Sequence, residues 1–245
     1  MAGTAPSSSD CVAYWALENL TDKTGNSHSL TNSGATSGVT GILDDCYSFI
    51  TNDYMTVGGT FSDFITSTGS ISLWFKKSNK STTQALFAMA EAAAGNDFFW
   101  VYTRTTGNLR FNINNEGTGA YNAEYQVDVC DGDWHHIVWT NDGTNNKYYF
   151  DGTDITSSMV YTIGADSGTW TGDLSGLDNF QLGRMYRGGA TEFPLNGVVD
   201  EFSYYDVVLT ADNVTYLYNS GSPTSAQQFP FGAVDAQAIM MGMNF

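Results

Sequence analysis

Positive charge is scarce in this chain of 245 residues: nine Lys and Arg stand against 26 Asp and Glu, a formal net charge of -17. Phosphate backbones are bound by clustered Lys and Arg, so this balance excludes nucleic acid as a partner. It equally removes any attraction to an anionic membrane surface. No stretch approaches about 18 consecutive apolar residues, so no membrane-spanning helix is expected. Cysteine is nearly missing too. Cys11, Cys46 and Cys130 are odd in number and lack CxxC spacing, which indicates neither a zinc site nor a disulfide framework. Cys11 and Cys46 are placed to pair across neighbouring strands, but buried free thiols are the expectation. Glutamate is short, with 6 Glu beside 20 Asp; Asp is a turn residue and a calcium ligand, whereas Glu favours helices. Met1–Asp10 is small and polar, without the basic and apolar regions of a signal peptide.

What the chain does have is aromatic and turn-forming. Fifteen Phe, 14 Tyr and six Trp favour strands, and 26 Gly among Ser, Thr and Asn runs favour many turns. Ile71-Ser72-Leu73-Trp74-Phe75 reads as a strand. Phe98-Phe99-Trp100-Val101-Tyr102 is apolar throughout, as a strand covered on both faces would be. Leu109 to Asn114 alternates apolar inward and polar outward. Trp134–Thr140, Lys147–Phe150 and Asn179–Leu182 continue the series, with turns at Asp142-Gly143 and Asp151-Gly152. One short helix is expected near the end: Thr210 caps it, Val214, Leu217 and Tyr218 form its apolar stripe, and Gly221 closes it.

Four segments in order then resemble one family. They are Val12-Ala13-Tyr14-Trp15-Ala16-Leu17 with Asp22-Lys23-Thr24-Gly25-Asn26; Ser70 to Lys76; Gly132-Asp133-Trp134-His135-His136-Ile137-Val138 reaching Tyr149-Phe150-Asp151-Gly152; and Leu182-Gly183-Arg184 with Leu195 to Tyr205 and Leu209-Thr210-Ala211-Asp212. Together they are similar to the laminin-G-like, concanavalin A-like lectin domain, a superfamily shared with pentraxins. The resemblance implies an all-β jelly-roll β-sandwich of two antiparallel sheets with one short C-terminal helix. It covers residues 11–221, leaving 1–10 as a flexible leader and 222–245 as an apolar tail.

Glycosidases of this fold place paired carboxylates as E-x-D-x-x-E on one strand face, and no such run exists here. Asp200 and Glu201 are adjacent, so a regular strand sends them to opposite faces. No GxSxG, HExxH or GxxxxGK[ST] motif is present; the expectation is a protein that is not an enzyme. His135 and His136 face apart on a strand and read as structural. Loop oxygens suit Ca²⁺, and the resemblance implies one structural calcium held by Asp22, carbonyls near Asn26 and His28, and Asp200. The alternative is that Asp22 makes an Asx-turn and Asp200 holds a loop. Sugar sites combine an aromatic platform with polar groups, which selects Asn115, Tyr121 and Asn122 in one loop and Arg184, Tyr186 and Arg187 in another as ligand-binding residues. The tail Phe229–Phe245 carries three Met, three Phe and an Ile; leaving such side chains in water costs roughly 1.5–3 kcal/mol each, so it either folds back or docks on another chain.

The resulting expectation is a non-catalytic binding or assembly module displayed on a phage-like virion, partnered by other particle proteins through its tail and by host surface glycans. The alternative is a carbohydrate-binding lectin domain of a secreted enzyme or adhesin. In either case the protein works on a virion or outside the cell, oligomeric or particle-bound in the first.

Overall fold

A computed structural model describes residues 3–116 and 121–223. Two eight-stranded antiparallel sheets face each other, as the resemblance implied. The first runs, edge to edge, Thr153–Asp154, Asn146–Phe150, Trp134–Asn141, Gly69–Lys76, Gly197–Tyr205, Asp45–Phe49 and Thr36–Thr40, with Cys11–Trp15 pairing on Gly197–Tyr205. The second runs Met159–Gly164, Tyr121–Asp128, Asn108–Asn114, Phe98–Thr103, Gln84–Ala90, Asn179–Leu182, Tyr54–Val57 and Leu30–Ser33. A separate hairpin, Met185–Arg187 with Ala190–Glu192, follows the sixth of these.

Aromatic residues placed at alternate positions fill the space between the sheets. Phe99 and Trp139 stack across it at 4.3 Å with planes 2° apart, and Trp170 meets both rings edge-on. Offset and edge-to-face pairs of this kind add to the area term of burial. Strand alternation follows the sequence reading: Ile137 and Trp139 join this core, while Val138 points to the opposite side. The Asp151-Gly152 turn joins Phe150 to Thr153 with φ of 48° and 73° at its two central residues, the left-handed pair of a type I′ hairpin. Glycine is required at its second position for another reason, since a Cβ there would sit 2.5 Å from the Tyr218 ring.

The helix Ala211–Tyr218 begins at Thr210, whose side chain accepts from the Asn213 amide while Asn213 reaches back to Thr210. Val214 and Leu217 are buried with Tyr14, Val138 and Tyr205 on the outer side of the first sheet. Its end differs from expectation. Asn219, in the left-handed region at φ 41°, is the C-terminal cap, and Gly221 lies beyond it.

The first described residues meet the helix: the Asn213 side-chain amide donates to the Thr4 carbonyl at 2.9 Å, and Pro6 is buried. One further expectation is corrected. Asp200 and Glu201 do not simply alternate. A bulge breaks the register between Asp200 and Ser203, Glu201 takes φ 52°, and both carboxyls are buried. The three cysteines are free and buried. The tail from 224 lies outside the described residues.

Candidate functional site

The strand Phe98–Thr103 sends Phe99 and Val101 into the core, which leaves Phe98, Trp100 and Tyr102 on the outer face of the second sheet. Register then lines up a polar row beside them. Asn112 sits opposite Trp100 and Arg110 opposite Tyr102; Asn122 and Glu124 face Asn112 and Arg110 on the next strand. Trp100 stacks on Tyr102 at 3.7 Å and donates its indole N–H to Asn112 Oδ1 at 2.8 Å. The Tyr102 hydroxyl accepts from Asn122 Nδ2 at 3.2 Å and from Arg110 at 3.3 Å.

Glu124 anchors this array. It accepts from Arg110 Nε at 2.7 Å, from Asn108 and from Arg104. Burial alone would raise its carboxyl pKa, but the Asn108 and Arg110 hydrogen bonds and the two guanidinium charges outweigh that and hold it below the usual range. Asn122 Oδ1, by contrast, is buried without a hydrogen-bond partner among the described residues. An orphaned acceptor is costly, and a donor supplied from outside would relieve it.

The hairpin completes the patch. Met185 and Phe193 cover Trp100. Arg187 lies 4.8 Å over Phe98 and pairs with Glu192. Arg184 lies 3.2 Å over the Tyr54 ring and donates to Gln181 Oε1 at 2.7 Å. All four arginines of the chain, Arg104, Arg110, Arg184 and Arg187, therefore belong to this one face.

Of the residues selected from sequence, Asn122, Arg184 and Arg187 lie here, and Tyr186 flanks Arg184 at 5.7 Å. Asn115 sits at the end of its strand, donating to the Asp173 carbonyl. Tyr121 is corrected: it is fully buried between the sheets, edge-on to Trp139, and offers a sugar no platform. Sequence reasoning missed Trp100, Tyr102, Arg104, Arg110, Asn112 and Glu124. The outward polar positions of Leu109–Asn114 were the available signal, but nothing in the sequence showed which strands would flank them.

The donor set implied for calcium does not fit one ion. Asp22 is already satisfied, since Oδ1 accepts from the Tyr14 and Thr24 amides and the Thr24 hydroxyl, and Oδ2 from the His28 amide at 3.0 Å. Asn26 turns its amide onto the Cys11 and Val12 carbonyls, and the His28 carbonyl accepts from the Trp15 indole. Asp200 instead holds the loop at Ile42 and Leu43. Among the described residues no group of three His, Cys, Asp or Glu is disposed to hold a metal. Burial pushes Asp200 up to about 8, and pushes Glu201, which accepts from the Tyr14 hydroxyl, well above the carboxylate range.

His135 and His136 diverge as expected. His135 bridges Asp131 and Asp151. His136 is buried against Trp74, with Nε2 2.8 Å from Ser72 Oγ.

Comparison with known proteins gives a consistent picture. A family model described as the concanavalin A-like lectin/glucanases superfamily matches residues 49–215. Sialidase B of Streptococcus pneumoniae serotype 4 is 23% identical over 177 residues, 63% of this chain and 24% of that protein. Anhydrosialidase of Macrobdella decora is 22% identical over 154 residues, 60% of this chain and 20% of that protein. The chain thus spans a quarter or less of the length of these curated relatives. Among solved structures, domain 4 of AbnA, a GH43 extracellular arabinanase from Geobacillus stearothermophilus in complex with arabinotriose, aligns at 18% identity and TM-score 0.65, covering 85% of this chain and 98% of that one. The Ruminococcus gnavus IT-sialidase CBM40 bound to alpha2,3 sialyllactose aligns at 20% identity and TM-score 0.52, covering 60% and 80%. At these identities the structural likeness is one of fold.

Proposed function

Because the chain belongs to the concanavalin A-like lectin/glucanases superfamily, we propose that it is a non-catalytic carbohydrate-binding module whose ligand lies on the outer face of the second sheet. The observation that carries this reading is a polar-aromatic row in which Arg110 and Arg104 are held by Glu124 beside Trp100, Tyr102 and an unfilled acceptor, Asn122 Oδ1. Sugars offer many O–H donors to such an acceptor, and guanidinium groups bind carboxylates through parallel N–H bonds. The ligand is therefore a glycan ending in an acidic sugar, and relatives that act on or bind sialylated compounds support sialosides as the first to test. The sealed Asp200–Glu201 pair is out of a substrate's reach, in keeping with a binding role.

The test is calorimetric titration with 3′-sialyllactose and with lactose. Binding of the first and not the second is expected, weakened about tenfold or more in Arg110→Ala, since a lost charge-assisted hydrogen bond costs about 1.5–3 kcal/mol. Equal behaviour of both sugars, or an unaffected Arg110→Ala protein, would refute the site. Such a module serves a secreted enzyme or adhesin, or a virion surface. Virion display and assembly through the tail rest on residues 224–245, outside the described residues.

A further inference from the structure

The end of the sandwich near Cys130 holds a contact that glycan binding does not use. Lys77 directly follows the strand Gly69–Lys76 of the first sheet, and its side chain is 3% exposed. Nζ donates to the Asn79 carbonyl at 2.6 Å and to Thr103 Oγ1 at 2.8 Å, and it lies 3.4 Å from Cys130 Sγ. Among the described residues no carboxylate lies within ion-pair distance of it. Cys130, also buried, follows the strand Tyr121–Asp128 of the second sheet. An ammonium held among neutral acceptors is poorly solvated, and burial shifts Lys77 toward the neutral amine. The buried surroundings keep other thiols and amines from competing for either group.

We propose that Lys77 and Cys130 form an oxidative modification site, in which dioxygen joins them covalently as Nζ–O–Sγ. The amine (–NH₂) and thiol (–SH) react with one O₂ to give –NH–O–S– and one water. Sulfur loses two electrons and nitrogen two, and dioxygen accepts all four. Its O–O bond breaks; one oxygen becomes the bridge and the other leaves as water with two of the three N–H and S–H hydrogens. The third hydrogen stays on Nζ. The link would tie one sheet to the other and close the chain between residues 77 and 130, a constraint of the kind that stabilises by restricting the unfolded state.

The experiment starts from full-length protein purified anaerobically with reductant, then held in air-saturated buffer. Expected is a gain of one oxygen and loss of two hydrogens, about 14 Da, on a cysteine product that thiols reverse. Titratable thiols in denaturant should fall by one from three. The melting midpoint should rise by several degrees, and dithiothreitol should undo all three changes. Cys130→Ser and Lys77→Met should show none of them. If either variant does not fold, the wild type decides alone, because a peptide map must show the Lys77 and Cys130 peptides joined. An unchanged mass with three thiols overturns the proposal. So does oxygen carried on Cys130 with Lys77 free, or the loss of two thiols that marks a Cys11–Cys46 disulfide.

Discussion

His136 offers the sharpest test of how this sandwich is held. Its ring is stacked at 4.8 Å on Trp74 and at 6.1 Å on Tyr218, and Nε2 meets Ser72 Oγ. Nδ1 is buried with no acceptor among the described residues, so a second ring proton would have nothing to bond. Burial pushes its pKa down to about 3, against a small opposing pull from Asp151. The folded pKa is depressed, so the neutral ring contributes stability that is present above the unfolded value, near 6.5. That stability is lost as pH falls toward 3, because only the unfolded chain takes up the proton. Between pH 7 and pH 5 the loss is about 2 kcal/mol. Asp200, raised to about 8 by burial, works in the other direction: its contribution is present below the ordinary Asp range and is lost as pH rises through 8. Over the same window the two slopes oppose each other, and the wild-type profile alone would conceal both. The decisive quantity is the difference between wild type and His136→Gln in urea unfolding at pH 7 and at pH 5. The variant loses packing and the Ser72 contact at both values, so those costs cancel. Its deficit should shrink by about 2 kcal/mol at pH 5. A deficit independent of pH would refute the account of a neutral, sealed imidazole.

Asp22→Ala, measured in EDTA so that no divalent cation contributes, should lower stability by about 2–4 kcal/mol, because four donors lose their acceptor at once. A change under 0.5 kcal/mol would show that the Asx-turn is not what Asp22 maintains. Gly152→Ala should cost about 1–3 kcal/mol through positive-φ strain and the clash with Tyr218, read as a lower urea midpoint with an unchanged slope.

The fold was legible because its signals are local and repeated. Period-two alternation in Leu109–Asn114 and Trp134–Asn141, the Asp151-Gly152 hairpin and the Thr210 cap each act within a few residues, and each appears where the sequence placed it. Misreadings fall where a tertiary contact overrides a local rule. Asn219 ends the helix before Gly221 can. The bulge at Glu201 breaks an alternation that adjacent numbering assumed. Tyr121 sits in a polar stretch rich in Asn and Gly, which reads as a loop, yet strand pairing with Ile113 and Gly164 turns it inward. The outer face of the second sheet was harder still. Trp100 and Tyr102 read as core because their strand is apolar throughout, and Arg110, Asn112, Asn122 and Glu124 come from two strands whose pairing no local signal reveals.

Net charge conceals a local exception, and physical scale explains how. The arginine face holds four positive groups, partly offset by Glu124 and Glu192, so its local sum is 4 - 2 = +2. The rest of the chain must then carry -17 - 2 = -19. A long polyanion spanning both regions would meet mostly repulsion. A single sugar carboxylate meets only what lies within about 8 Å at physiological ionic strength, the distance over which exposed charges are screened. On that face Arg110 and Arg104 are held in place by Glu124, and Arg184, several strands away, has an aromatic ring beneath it in place of a carboxylate. The acidic surface and the arginine face are therefore compatible with the proposed acidic-sugar ligand.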